Sequence, residues 1–187
     1  MTPPLPDLTD GELAKLALNG QQRAYRELMR RHRDGVYRLV LAQIADRDET
    51  VDVTQEAFIS AFAALARFDR ARSFRAWMAR IAINKCHDWA RRRAVRRFFT
   101  FARPMEDALD IPDAAASPED QLVHAAAHAR LLAAIASLPP KLKDVLILRT
   151  IEDFSQAEVA DALGVTTKAV EMRLYRARAA LADLLRD

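Results

Sequence analysis

Arginines at 67, 70, 72, 75 and 80 crowd together with Phe68, Phe74 and Trp77 in one short stretch of the chain. Guanidinium groups neutralise phosphates, and flat rings stack on unpaired bases at ~1–3 kcal/mol each, so this mixture suits an opened nucleic-acid strand better than an intact duplex. The stretch runs into FRAWMARIAINKCHDWARRRAVRR, residues 74 to 97, which reads as one long helix. Trp77, Arg80, Asn84, His87, Asp88 and Arg91 share one of its faces. Met78, Ala82, Ile83, Cys86, Trp89 and Ala90 spread over the other. A solvated arginine face on an ordinary amphipathic helix has the same pattern, and either tryptophan fits a core as well as it fits a base platform. Charge favours the nucleic-acid reading. Residues 72 to 103 hold ten Lys/Arg against one Asp, whereas a merely solvated helix intersperses its signs.

A second constellation lies between Ser155 and Leu181, SQAEVADALGVTTKAVEMRLYRARAAL. Ser155 and Glu158 have capping-box spacing, Gly164 suits the left-handed end of a first helix, and Thr166 can cap a second. Val170, Leu174, Ala177 and Leu181 recur at the rhythm of a buried stripe. Lys168, Glu171, Met172, Tyr175 and Arg176 must therefore point away from it. Two short helices hinged at a glycine, with an outward polar face, form a helix-turn-helix whose second helix fits a major groove. The plainer alternative is a helical hairpin that closes a bundle. If the face meets DNA, Glu171 can accept from a cytosine amino group and Arg176 can donate to guanine or a phosphate, while Lys168 and Arg173 suit phosphates.

Other residue pairs do not assemble a catalytic or metal site. His124 and His128 are four apart but lack a third ligand and the glutamate of a metalloprotease helix. Cys86 and His87 are neighbours, yet adjacent helical residues diverge by ~100°, and Cys86 falls on the apolar side as a small buried residue. The four glycines, at 11, 20, 35 and 164, are isolated and make no phosphate loop. We expect no catalytic residues, no metal and no cofactor.

The elements that carry these groups are helical. Prolines stand only at 3, 4, 6, 104, 112, 118, 139 and 140, so none interrupts residues 7 to 103, and no run alternates in the manner of a strand. Thr9 and Glu12 form a capping box that opens the first helix; Gly20 and Gly35 mark ends or turns. Further helices are predicted over 22 to 33, 36 to 46, 50 to 66 and 74 to 97. The segment PMEDALDIPDAAAS, residues 104 to 117, is acidic and has no apolar period, as a flexible linker would be. Ser117 and Pro118 then start a helix with Leu122, Leu131, Leu132 and Ile135 on its apolar face, Pro139 and Pro140 break it, and residues 141 to 151 form the helix before the hairpin. The expected fold is all-α: two helical domains joined by a flexible acidic linker, with boundaries at 8–98, 99–119 and 120–187. The second is a four-helix domain containing the helix-turn-helix.

Composition agrees with such a protein. The 187 residues are 51% hydrophobic and 29% charged, enough for real cores, and one cysteine leaves no internal disulfide. No apolar run approaches the ~20 residues that span a bilayer, and the first residues lack the features of a secretory signal, so a cytoplasmic location is expected.

The ordered motifs resemble the extracytoplasmic-function sigma factors, the smallest group of the sigma-70 family. Asp52-Val53-Thr54-Gln55-Glu56-Ala57-Phe58 resembles the segment that docks on the polymerase clamp helices. Phe74 to Asn84 with Asp88 to Arg92 resembles the helix that opens and reads the −10 element, and Leu138-Pro139 with the 155–181 hairpin resembles the domain that reads −35. The resemblance implies −10 contacts from Phe68, Arg70, Arg72, Trp77, Arg80, Asn84, His87 and Arg91, with Asn84 as base reader and Phe68 to Ser73 as the capture loop for a flipped base. It implies −35 contacts from Lys168, Glu171, Met172, Arg173, Tyr175 and Arg176, and docking through Asp52, Gln55 and Glu56, which periodicity alone gives only as a solvated edge. Glu171 and Met172 depart from the small or basic residues frequent there. Partners implied are core RNA polymerase, promoter DNA as −35 duplex and melted −10 strand, and an anti-sigma factor, which in turn implies a location in the cytoplasm or held by that factor at the membrane; no small-molecule substrate is implied. The residues also admit a repressor or activator with an N-terminal sensing or dimerisation domain. An enzyme acting on nucleic acid would need paired carboxylates that are not found.

Overall fold

The computed structural model describes residues 4–99 and 130–186. Every regular element among them is helical: α1 (Asp10–Leu18), α2 (Gln22–Ile44), α3 (Arg47–Ala63), α4 (Phe74–Phe99), α5 (Pro140–Thr150), α6 (Gln156–Leu163) and α7 (Thr167–Arg186), with residues 130–137 also helical before α5. The linker segment 104–117, the Ser117 helix start, Leu122 and the pair His124 and His128 lie outside the described residues.

Capping chemistry sets several boundaries where expected. Thr9 opens α1 with a reciprocal box, its backbone N–H donating to Glu12 Oε2 at 2.7 Å. Gly20, at φ 86°, turns the chain into α2. Gly35 does not end a helix, contrary to the expected pair 22–33 and 36–46. A mid-helix glycine costs only about 1 kcal/mol, and the continuous helix buries Leu28, Val36, Leu39 and Val40, worth ~1.5–3 kcal/mol for each large side chain. The stop comes instead at Ala45, left-handed at φ 54°. Asp46 then caps α3 by accepting from the Glu49 N–H at 3.1 Å, so α3 starts three residues before the predicted position 50 and closes at Ala63, ahead of a short turn over Leu65–Arg67.

The first body packs α1, α3 and α4 against α2 around Leu13, Leu28, Leu39, Val53, Phe58, Phe74 and Met78. On α3 Val53, Ala57, Phe58 and Ala61 are buried and Phe62 is half-buried, and Leu65 is buried in the turn that follows. The second body packs α5, α6 and α7 around Val145, Ile147, Leu148, Phe154, Val159 and Val170, with Leu138, Leu146 and Ala177 in a smaller cluster. One continuous apolar core joins the two bodies, because α2 meets α5 and α4 meets α6. That contact places the basic helix α4 beside the hairpin.

Candidate nucleic-acid interface

The aromatic part of the basic segment folds inward. Phe68 is buried, its ring centroid 5.2 Å from Phe74 edge to face and 5.1 Å from Trp77. In this arrangement it anchors the loop rather than offering a free face to a base, since the apolar gain of burying a phenylalanine, about 1.5–3 kcal/mol, holds it in the cluster. Trp77 is half-buried above Phe68 and Phe74. Trp89 is buried too, and its indole N–H is satisfied by Glu49 Oε2 at 2.9 Å. Cys86 is a buried structural residue, as its place on the wheel suggested; desolvation pushes its thiol up to about 12.

The polar face is set out along the loop and α4. Arg70, Arg72, Arg80, Asn84 and Arg91 are exposed and His87 is half-buried; Arg91 pairs with Asp88 one turn back. Gly11 positions the loop: a Cβ there would stand 2.8 Å from the Arg70 carbonyl oxygen, so only glycine lets α1 approach so closely. Ala90, expected on the apolar side, is exposed.

Several of these groups meet the second body. Arg72 pairs with Asp161 on α6 at 2.8 Å, and the Arg80 guanidinium closes against Gly164, in the space that a Cβ there would take. His87 Nε2 lies 3.2 Å from Asp144 Oδ1, and the same oxygen accepts from Gln43 Nε2 at 2.9 Å. Asp144 is 5% exposed. Its hydrogen bond raises the His87 pKa above the ordinary value against the opposing effect of burial. Beside it Lys143 donates to the Gln43 carbonyl at 3.0 Å. Farther along, Glu152 is buried and accepts from Arg38 at 3.2 and 3.3 Å, and its carbonyl accepts from Arg75, whose guanidinium lies 4.0 Å over the Phe154 ring. Gln43, Asp144 and Glu152 were not anticipated, and Arg75, counted with the basic stretch, turns to the Glu152 carbonyl instead. Their partners lie far away in sequence, so no local spacing could reveal them.

The hairpin has the expected local geometry. Ser155 makes its reciprocal box with Glu158, Gly164 sits at φ 64°, and Thr166 accepts from the Ala169 N–H at 3.2 Å. Gln156 also donates to the Thr167 carbonyl at 3.1 Å, tying the two helices. Val170 and Ala177 are buried and Leu174 and Leu181 half-buried, which turns Lys168, Glu171, Met172, Tyr175 and Arg176 outward, with Arg173 at the edge. Tyr175 is 73% and Met172 46% exposed. An apolar pair open to water on a cationic helix suits groove contacts such as a thymine methyl.

On α3, Asp52 and Gln55 are exposed, and Glu56 is half-buried and bonded to Arg92 at 3.3 Å. Val51 and Ile59 stand on the same side, Ile59 at 68% exposure, two apolar groups that charge-based reading passes over. Among the described residues no group of three His, Cys, Asp or Glu is placed to hold a metal, and no helix is long and apolar enough to cross a membrane.

Comparison with known proteins follows the same division. Residues 28–96 match the family described as Sigma-70 region 2, and residues 128–181 match Sigma-70, region 4. The chain is 39% identical to the RNA polymerase sigma factor CnrH of Cupriavidus metallidurans, with 96% of each chain covered. It is 28% identical to the ECF RNA polymerase sigma factor SigW of Bacillus subtilis, covering 92% of this chain and 95% of that one. Among solved structures, CnrH in complex with the cytosolic domain of CnrY superposes with a TM-score of 0.69 at 32% identity, over 95% of this chain and 97% of the other. The sigma factor RpoE of Bartonella quintana, in complex with the anti-sigma factor NepR, shares the fold at a TM-score of 0.69 and 19% identity, over 87% and 96%.

Proposed function

The chain belongs to the extracytoplasmic-function group of sigma-70 family RNA polymerase sigma factors, and from that premise we propose how its residues divide the work of initiation. The first body, residues 8–98, captures the separated −10 strand; the second, 120–187, holds the −35 duplex; residues 99–119 link them. Asn84 reads a −10 base by hydrogen bonding, Trp77 supplies a stacking surface, and Arg70, Arg72, Arg80, His87 and Arg91 hold the strand's phosphates. Phe68 contributes by fixing the loop from beneath.

In the major groove Glu171 and Arg176 read base edges, Met172 and Tyr175 make apolar contacts, and Lys168 and Arg173 set the register on phosphates. Asp52, Gln55 and Glu56 dock on core polymerase, with Val51 and Ile59 as apolar anchors among the acids. RNA synthesis itself stays with the polymerase, so the sigma factor needs no catalytic group of its own. The CnrH and RpoE structures each hold a partner, which supports control of this chain by an anti-sigma factor in the cytoplasm or at the inner face of the membrane. The observation that carries the reading is the pairing, in one chain, of an outward major-groove helix with an exposed face of arginines and Asn84 on α4.

Permanganate footprinting of promoter DNA bound by core polymerase with this chain tests the division. Thymines at −10 become reactive with the wild-type protein. With Asn84→Ala their reactivity falls about tenfold, the equivalent of one lost base contact, while −35 protection is retained. Equal loss at both elements, or none, contradicts the role given to Asn84.

A further inference from the structure

Arg31 on α2 engages every N–H of its guanidinium around the turn that leads into α1. Nε donates to Glu27 Oε1 at 2.9 Å, Nη1 to the Leu8 carbonyl at 2.8 Å and to Asp10 Oδ1 at 2.9 Å, and Nη2 to the Leu5 and Pro6 carbonyls at 3.1 and 2.8 Å. Asp10, the first residue of α1, is thereby fixed to α2. Its other oxygen, Oδ2, accepts from His32 Nε2 at 2.8 Å, and the His32 ring centroid lies 5.0 Å from that of Phe74. Phe74 is the ring against which Phe68 and Trp77 pack. The next residue, Gly11, lies so close to the Arg70 carbonyl that a Cβ has no room. The start of α1 therefore meets the −10 loop by two routes, directly at the Arg70 backbone and through His32 at the aromatic cluster. We propose that Arg31, Asp10 and His32 are positioning residues for −10 strand capture: they seat the first turn of α1 as a buttress that sets where loop 68–73 and Trp77 stand, without touching DNA themselves. The inference rests on the −10 assignment made above.

Three physical arguments support the buttress. First, Arg31 has no donor left for a phosphate, since the guanidinium fork is filled by protein oxygens. Its charge serves the fold of this corner. Second, the arrangement needs the planar fork and not merely a cation: an ammonium offers three donors from one point, too few for these acceptors. Third, the loop is stiff in itself, because Asp69 Oδ1 accepts from the Ala71 N–H at 3.0 Å and the Asp69 carbonyl accepts from the Arg72 N–H at 2.9 Å. A shift imposed at Arg70 therefore carries Asp69 to Arg72 with it. Base stacking depends on where a ring stands, so the position of the loop and of Trp77 decides how well an unpaired base is held.

The test uses core polymerase loaded with the full-length chain, and compares binding of a labelled single-stranded −10 oligonucleotide with binding of a −35 duplex. Arg31→Lys keeps the charge and loses the fork; Gly11→Ala pushes on the Arg70 carbonyl from the other end of the buttress. Each should weaken the single strand about tenfold, roughly one lost stacking contact, while −35 binding, co-purification with core and helical content stay as in the wild type. Because both act through one loop, the double variant should lose little more than either alone. With 2-aminopurine in the −10 strand, quenching by stacking should stay smaller than wild type in both variants even at saturating strand, an effect that lowered stability alone does not produce. Wild-type strand affinity in both variants, a loss shared equally by the −35 duplex, additive losses, or wild-type quenching at saturation would each overturn the proposal. Strand binding weakened by Asn84→Ala but not by Arg31→Lys or Gly11→Ala refutes the buttress alone; strand binding untouched by Asn84→Ala as well refutes the −10 assignment beneath it.

Discussion

Glu171 and Lys168 occupy one exposed helical face, but a carboxylate and an ammonium do different things in a groove. A carboxylate beside phosphates is repelled unless it accepts from a cytosine amino group, so Glu171→Ala should relax preference at one −35 base pair, by about 1–3 kcal/mol, and leave other positions unchanged. Lys168→Ala should weaken all sequences alike and lower the salt dependence by about one counterion. A panel of −35 variants, each measured at several salt concentrations, separates the two; uniform weakening by Glu171→Ala would remove it from the base readers. Residue types at helical spacing were enough to find this face, because one helix turn determines which side chains point out. They were not enough at Phe68. Sequence shows three aromatic rings near one another, and only the packed cluster decides which of them faces the interior.

At the scale of elements, capping residues and apolar periodicity located α1, α4, α6 and α7 closely, since those signals are local and their energies act within one turn. The division of α2 at Gly35 was misread because a weak local penalty was outweighed by burial along the whole helix. Contact between α4 and α5 was invisible for another reason: Gln43, His87 and Asp144 come from three separate segments. That contact should respond to pH. His87 has its pKa raised in this contact, first through the Asp144 hydrogen bond, with Arg91 and Lys143 opposing. A raised pKa means that the contact binds a proton, so the His87 contribution is complete below its ordinary value of 6.5 and is lost as pH rises through the higher value in the contact. Lys143 is shifted downward by burial from a far higher reference and Cys86 is pushed up to about 12, so His87 dominates near neutrality. Energy transfer between dyes on introduced cysteines at exposed Ala63 and Ala179 should fall as pH rises above 6.5 and lose that dependence in His87→Gln. A flat wild-type profile would show that the imidazole carries no part of the contact.

The whole molecule joins two helical bodies through one continuous apolar core. Charge asymmetry already separated a basic reader from an acidic segment in the sequence, and both helical bodies match sigma-70 regions. The shared core between them had no counterpart in local pattern, because apolar residues at a domain boundary look the same as those inside either domain. On the proposed division of labour, promoter-directed initiation uses the exposed α7 face and the α4 face together, with Asp52, Gln55 and Glu56 on polymerase. Run-off transcription from a promoter library, with purified core polymerase, measures that combined act. Adding the protein should create new, discrete start sites downstream of a common −35 and −10 pair, and the protein should co-purify with core. No new start sites and no association with core would contradict the account.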